Sequence, residues 1–299
     1  MATRSTKNLS IVGAGAVGTA FGLGLVKKGY KVLSVVSRSK KSAKSLAGRV
    51  GCKIFSDKLT AIHPDTTLLL ITVPDASIAV VAGKISETCD LEFKNLKVVH
   101  TSGLLTSDAL ATLAEKGAGV FSLHPIQTFP SSRTVVNLQG VSFGFEGSST
   151  LLRVAKQIVG DFGGELLRVP KEAKVLYHCA CVIASNYPVV LLNIVDEIAR
   201  RSLKPNSLRH FRTLTESSIR NAFESSPARA LTGPVARGDV QTIQQHLRAL
   251  LGEEKNLVSL YRTLGLFALR MIHPNKKISR PQIEELSSAL TTEYEHLSF

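Results

Sequence analysis

The chain has 299 residues, 44% of them hydrophobic and 20% charged, with no tryptophan and four cysteines. That length exceeds the usual size of a single hydrophobic core, so two domains are expected, and the composition is that of a globular chain. The net charge is +14, but no basic run carries the interleaved aromatics that stack on bases, which argues against a nucleic-acid partner.

No apolar signal segment of useful length precedes the first strand, since Met1-Ala-Thr-Arg-Ser-Thr-Lys7 leads straight into it, and a cytoplasmic protein is expected. The run Leu9-Ser-Ile-Val-Gly-Ala-Gly-Ala-Val-Gly18 then reads as a buried strand followed by a G-x-G-x-x-G turn. Gly13 suits the tight turn, Gly15 close approach of a pyrophosphate, and Gly18 close packing of helix on sheet. The helix that follows, Ala16 to Lys28, offers its first amide groups to phosphate, so Ala16 and Val17 join the glycines as expected cofactor contacts. Gly29 stops that helix before a second strand, Tyr30 to Val36, and the three segments make a βαβ unit.

NAD-binding domains of this kind usually place an acid about 20 residues past the glycines, on the ribose 2′-OH. Here that place reads Ser37-Arg38-Ser39-Lys40-Lys41, and no Asp or Glu occurs before Asp57. Hydroxyls and cations suit a 2′-phosphate, so Ser37, Arg38, Ser39 and Lys41 point to NADP; the alternative is a solvated basic helix start.

A helix near Ser39 to Ala47 and a short strand at Lys53 to Phe55 precede the strongly apolar run Thr67 to Val73, a buried parallel strand. Strand carboxyl ends line the ligand crevice in such sheets, which puts Val73, Pro74 and Asp75 beside the cofactor. The alternative for Asp75, and the plainer one, is the N-cap of a helix running from Ala76 to Ile85. The strand Leu96 to His100 opens into Thr101-Ser102-Gly103. After a helix at Ser107 to Lys116, the strand Val120 to Leu123 delivers His124-Pro125-Ile126-Gln127 to the same edge. His124 there could exchange a proton with substrate, helped by Ser102, or be only a turn residue before proline. Gln139 to Phe145, a helix Ser148 to Val159 and Glu165 to Val169 complete a sheet of about eight strands.

From Pro170 the pattern turns helical: Lys171 to Ser202 with a kink at Pro188, Ser207 to Glu224, Val240 to Leu251, Glu254 to Met271 and Pro281 to Thr292. Lys204-Pro205-Asn206, Thr232-Gly233-Pro234, Gly252 and His273-Pro274-Asn275 separate them. The expected organisation is a doubly wound α/β nucleotide domain over residues 1–169 and an all-α substrate and dimerisation domain over 170–299, with a cleft between them as substrate site. Val175 to Val195 is long enough to span a bilayer. His178, Ser185, Asn186, Pro188 and Asn193 interrupt it, which suits a protein core better than lipid, and no membrane partner is expected.

At about 100° per residue, Lys174, His178, Cys181 and Ser185 share one stripe of that first helix, with Asn186 beside it. The other faces are apolar, so the helix is expected to be buried with this stripe toward a wet cleft. Lys174 could protonate a developing alkoxide and His178 orient the substrate; the alternative is an exposed lysine and a hydrogen-bonded core histidine. In Thr232-Gly-Pro-Val-Ala-Arg-Gly-Asp239, Asp239 is expected to cap the next helix, while Arg237 either grips a substrate carboxylate or belongs to a plain turn. His63, His210, His246, His273 and His296 read as surface or packing residues. Cys52, Cys89, Cys179 and Cys181 show no metal-ligand spacing and are expected as free thiols, without a metal.

Ile11-Val-Gly-Ala-Gly, Leu123-His-Pro-Ile-Gln-Thr-Phe, Tyr177-His178, Ser185-Asn186-Tyr187 and Leu231-Thr-Gly-Pro-Val-Ala-Arg-Gly-Asp239 together resemble the Rossmann-like oxidoreductases that carry a C-terminal domain of unassigned function. That group is similar to ketopantoate reductase, pyrroline-5-carboxylate reductase and the 6-phosphogluconate dehydrogenase superfamily, whose helical C-terminal domain it shares. The resemblance implies NADP-dependent reduction of a small oxo acid or imine, and a homodimer. It sets Lys174 where ketopantoate reductases carry a catalytic lysine, with His178 in place of their asparagine. Ser102 and His124 resemble the serine and catalytic histidine of prephenate dehydrogenases, which makes such a hydroxy-acid dehydrogenase the nearest rival. The expected function is hydride transfer between NADPH and a small oxo acid, with Lys174 as acid, His178, Ser185 and Asn186 shaping the site, and His124 as a second acid or base. A non-catalytic NADP sensor is the remaining reading.

Overall fold

In the computed structural model, the described residues are 7–130, 135–203, 207–252, 255–272 and 278–291. The predicted breakers Lys204-Pro205-Asn206 and His273-Pro274-Asn275, the predicted helix ends Glu254 and Thr292, and His296 lie outside them. The chain divides into two compact units, residues 1–190 and 191–299.

The first unit is built on an eight-stranded sheet: β1 (Asn8–Val12), β2 (Lys31–Val36), β3 (Ile54–Ser56), β4 (Leu68–Ile71), β5 (Lys97–His100), β6 (Gly119–Pro125), β7 (Phe143–Gly147) and β8 (Leu166–Arg168). Its order is β3-β2-β1-β4-β5-β6-β7-β8. All neighbours run parallel except β6 and β7, where His124 pairs with Gly144. The reversal of direction on either side of β1 and β4 is the topological switch point at which such sheets bind ligands. Helices α1 (Ala16–Val26), α2 (Lys40–Arg49), α3 (Asp75–Thr88), α4 (Ala111–Glu115) and α5 (Leu152–Asp161) connect the strands.

The unbroken apolar run of β4 has a direct cause. Leu68 and Leu70 enter one core with Ile11, Phe21, Phe143 and Phe162, while Leu69 and Ile71 enter the other with Val12, Ile78 and Val98. Side chains alternate along a strand, so a strand covered on both faces must be apolar at every position. Phe21, Phe143 and Phe162 meet with ring centroids 5.6–5.9 Å apart, each burial worth about 1.5–3 kcal/mol. One strand begins later than expected. Gly140, at φ +74°, turns the chain, and β7 starts only at Phe143.

Helix α6 runs from Lys174 to Ser202 and continues through Pro188. Its expected burial is not found: Val175 is 66% exposed, Leu176 75%, Val189 65%, and Ile183 and Val190 53% each. An apolar face need not be covered within one chain, and a helical pattern read from sequence does not say what covers it. By length and composition α6 is also the one helix among the described residues that is apolar enough to cross a membrane.

The second unit contains α7 (Arg212–Glu224), α8 (Pro227–Ala230), α9 (Pro234–Arg237), α10 (Val240–Leu251), α11 (Lys255–Arg270) and α12 (Arg280–Thr291). Val235, Ile243, Leu247, Val258, Leu286 and Leu290 form its core. As expected, Asp239 caps α10, accepting from the Thr242 amide at 3.0 Å. The segment before it, for which a plain turn was one expected reading, holds the short α9, started by Pro234 and ended by Gly238 at φ +73°.

Candidate functional site

The glycine turn does what its spacing requires. Gly13 sits at φ +110°, and a Cβ there would lie 2.6 Å from the Thr72 carbonyl oxygen; at Gly18 a Cβ would collide with the Gly13 carbonyl oxygen. Thr72 Oγ1 donates to that same oxygen at 2.7 Å, tying the turn to the end of β4. Gly15 is different: a Cβ there would meet nothing within 4 Å. It is the N-cap of α1 and offers no side chain to the first-turn amides, which leaves them to a ligand.

These residues open on a cavity of about 730 Å³. Of the predicted cofactor contacts, Gly13, Gly15, Val17, Ser37, Arg38, Ser39, Val73, Pro74 and Asp75 line it, while Ala16, Gly18 and Lys41 do not. Ser39 also caps α2, accepting from the Ser42 amide at 3.2 Å. Ser42, Asp57, Thr72, Lys84 and Thr101 line the cavity without having been predicted. Ser42 and Lys84 come from helix faces that turn toward the cavity only once α2 and α3 are packed.

Asp75 does not cap α3, because the cap position is Pro74 and Asp75 is already the first helical residue. Its carboxylate accepts from Ser102 Oγ at 2.6 Å instead, and near the helix start its charge is favoured by the dipole. Ser102 is a buried knot rather than a cavity residue. Its hydroxyl accepts from the Leu104 and Leu105 amides at 3.1 and 2.9 Å, and its amide bonds His100 Nδ1 at 3.2 Å. His100 Nε2 meets the Thr106 carbonyl at 3.0 Å, so Nε2 carries the hydrogen. Burial, reinforced by the nearby Lys174, holds this histidine neutral, with its pKa lowered to about 4.

Lys174 is only 1% exposed and lines neither cavity. Its ammonium donates to the Ser102 carbonyl at 3.0 Å and to Ser122 Oγ at 2.9 Å. Burial lowers its pKa to about 8, against the opposing pull of Glu146, Asp75 and Cys181.

A second cavity, of about 580 Å³, lies at the carboxyl end of β6. His124, His178, Ser185 and Asn186 line it as predicted, together with Cys181, Gln127, Thr128 and Phe129. The Ser185 hydroxyl points at the Cys181 carbonyl at 2.7 Å and Asn186 Oδ1 at 2.8 Å. Tyr177 was missed. Its Oη lies 2.7 Å from His124 Nδ1, and a search one turn back from Cys181 would have found it. His124 is pushed down to about 4, first by burial and then by Lys174 and His178, with Asp75 opposing.

The loop after β5 joins the two cavities. Thr101 lines the first; two residues on, a Cβ at Gly103 would lie 2.7 Å from the His178 ring and 3.0 Å from the His124 ring, both of which line the second. Among the described residues no cluster of His, Cys, Asp or Glu could hold a metal ion, and all four cysteines are free.

Residues 3–125 match the model of a Rossmann-like domain, and residues 141–267 match a domain of unknown function (DUF2520). No curated protein matches the chain. Among solved structures, a protein from Thermotoga maritima is 28% identical, with 88% of this chain and 97% of that one covered and a TM-score of 0.71. A protein described as an NADP oxidoreductase from Bacteroides fragilis is 24% identical over 88% of this chain and 99% of that one, with a TM-score of 0.70. A reductive aminase from Aspergillus terreus, solved with NADPH and ethyl levulinate, shares the fold at 14% identity, with 96% and 99% covered and a TM-score of 0.67. Together the two matches cover most of the chain, a Rossmann-like domain followed by a DUF2520 domain.

Proposed function

We infer that this protein is an oxidoreductase that uses NADPH to reduce the carbonyl or imine carbon of a small molecule, a small oxo acid being the leading candidate. The observation that carries the reading is the loop Thr101-Ser102-Gly103, which contributes to the nucleotide-sized cavity at one end and at the other passes so near His124 and His178 that a Cβ on Gly103 would crowd both rings. A nicotinamide nucleotide fits the first cavity on three counts: open space over Gly15, uncapped amides at the start of α1, and Arg38 among serines where an NAD site usually has an acid. When bound, NADPH supplies the hydride.

The chain's own residues supply orientation and the proton. His124 sits at a strand's carboxyl end in the second cavity, the usual ligand edge of such sheets. His178, Ser185 and Asn186 give that cavity polar groups to orient a substrate. Lys174 acts from behind as a fixed cation, holding the Ser102 carbonyl and biasing His124 toward its neutral form. The same geometry serves a hydroxy-acid dehydrogenase of the prephenate type, because a neutral imidazole is also a competent base. The reading sets the protein in the cytoplasm as a homodimer, with the apolar face of α6 covered by a second copy.

The chain has no tryptophan, so nicotinamide fluorescence reports binding without interference. NADPH is expected to bind more tightly than NADH, and Arg38→Ala to remove most of that preference, worth about 1.5–3 kcal/mol for a charged contact. NADPH oxidation is then followed with ketopantoate, pyruvate and levulinate esters, with and without ammonia. Failure of NADPH to bind would sink the reading; binding with no turnover across the panel would favour a sensor.

A further inference from the structure

We propose that Tyr177 is the positioning residue of the second cavity: its phenol donates a hydrogen bond to His124 Nδ1, fixes Nε2–H toward the substrate, and supplies the proton that His124 passes on. The proposal rests on the reductase reading above but stands on geometry of its own. Tyr177 Oη is 2.7 Å from His124 Nδ1, with the rings edge to face and their centroids 5.7 Å apart. Opposite His124 on the antiparallel strand stands Gly144, where a Cβ would collide with Tyr177 Oη and lie 2.8 Å from its Cζ. The sheet is therefore cut away at the one position that lets the phenol reach the histidine.

The direction of the bond follows from what each group can accept. If His124 donated through Nδ1, the phenol hydrogen would have to go elsewhere, and the neighbouring Cys181 sulfur is a weak acceptor. An imidazole nitrogen is a much better one. Burial, with Cys181 alongside, raises the phenol above its ordinary range, so it keeps its proton and remains a donor. Nδ1 is then the acceptor, and Nε2 carries the hydrogen.

This arrangement answers a chemical difficulty. Buried among Lys174, Tyr177, His178 and Cys181 on α6, Asp75 on α3 and the loop after β5, His124 is not an imidazolium at neutral pH. A neutral imidazole is a feeble acid unless its other nitrogen gains a proton as the first one leaves. In the reduction, bound NADPH would supply the hydride with its C–H electron pair to the carbonyl carbon and end as NADP+, and the C=O π pair of the substrate would move to oxygen. That alkoxide takes the proton from Nε2, Nδ1 takes the proton from Tyr177 Oη, and the electron pair of the O–H bond stays on the phenolate. Lys174 Nζ, 5.9 Å from the phenol ring centroid, stabilises that charge. Cys181, which lines the cavity, lies beside the phenolate and can return a proton from solvent.

The decisive measurement is nitrogen NMR of the labelled histidines without nucleotide, in the wild type, Tyr177→Phe and Gly144→Ala. In the wild type His124 is expected to be neutral, with hydrogen on Nε2 and a bonded, unprotonated Nδ1. A donor to the neutral ring disfavours the charged ring, so both variants should raise the His124 pKa above its wild-type value. Gly144→Ala reaches the same end while keeping the phenol, which separates loss of the bond from damage to Tyr177. With the carbonyl compound that turns over best, both variants should lose about 10²–10⁴-fold in kcat with little change in KM. Hydrogen on Nδ1 in the wild type, an unchanged His124 pKa, or full turnover by Tyr177→Phe would overturn the proposal. None of those results touches NADPH binding, on which the broader reading stands or falls.

Discussion

Lys174 and Tyr177 show how far a residue's role depends on what surrounds it. The sequence stripe of Lys174, His178, Cys181 and Ser185 is real, and three of its four members line one cavity. The fourth is buried behind it, where its ammonium has two oxygen partners and an incomplete hydration shell. A lysine whose pKa is lowered by burial from 10.5 to about 8 carries a cost while both folded and unfolded forms are charged. Between about pH 8 and 10.5 the folded form has released its proton and the unfolded form has not, so stability from this group rises with pH. Denaturant unfolding of the wild type and Lys174→Met across that range is expected to show the wild type gaining on the variant by about 3 kcal/mol. A difference that stays flat with pH would mean that the buried lysine is not neutralised.

At the level of elements, α1 and α6 follow opposite rules. The start of α1 is fixed by local sterics: Gly18 faces the carbonyl of Gly13 with no room for a methyl group. That is why its glycine spacing was readable from sequence. In α6 the pattern is apolar almost all round, which predicted burial, yet Val175, Leu176, Ile183, Val189 and Val190 are exposed. Periodicity identifies the helix, but the covering surface lies elsewhere in space. The proposed cover is a second copy, because clefts and polar groups on the same helix, His178, Ser185 and Asn186, are ill suited to lipid. Light scattering is expected to give a dimer for the wild type and a monomer for Leu176→Asp with Val190→Asp. Recovery of the wild type in the membrane fraction would contradict this cover.

For the molecule as a whole, the proposed nucleotide should act as a folding ligand. NADPH at 100 times its Kd is expected to raise the stability of the unit that binds it by about 2.7 kcal/mol, and NADH at the same concentration by clearly less. Thermal unfolding with each nucleotide checks this, and equal shifts would remove the case for a 2′-phosphate site at Arg38. The sequence by itself determined the order of the strands and of the longer helices, the glycine turn, the eight strands and the helical second half, but not the short α8 and α9. Those features are written in short-range patterns: alternation, helical period and conformations open mainly to glycine. It also named His124, His178, Ser185 and Asn186 as cavity residues, through strand ends and helix faces. Only the tertiary structure decided that Asp75 bonds Ser102 rather than capping α3, that Lys174 is enclosed, and that Tyr177 meets His124 over Gly144. Each of these is a contact between segments 27 or more residues apart, and the distance between two such groups is set by how the strands and helices pack, which no local pattern encodes.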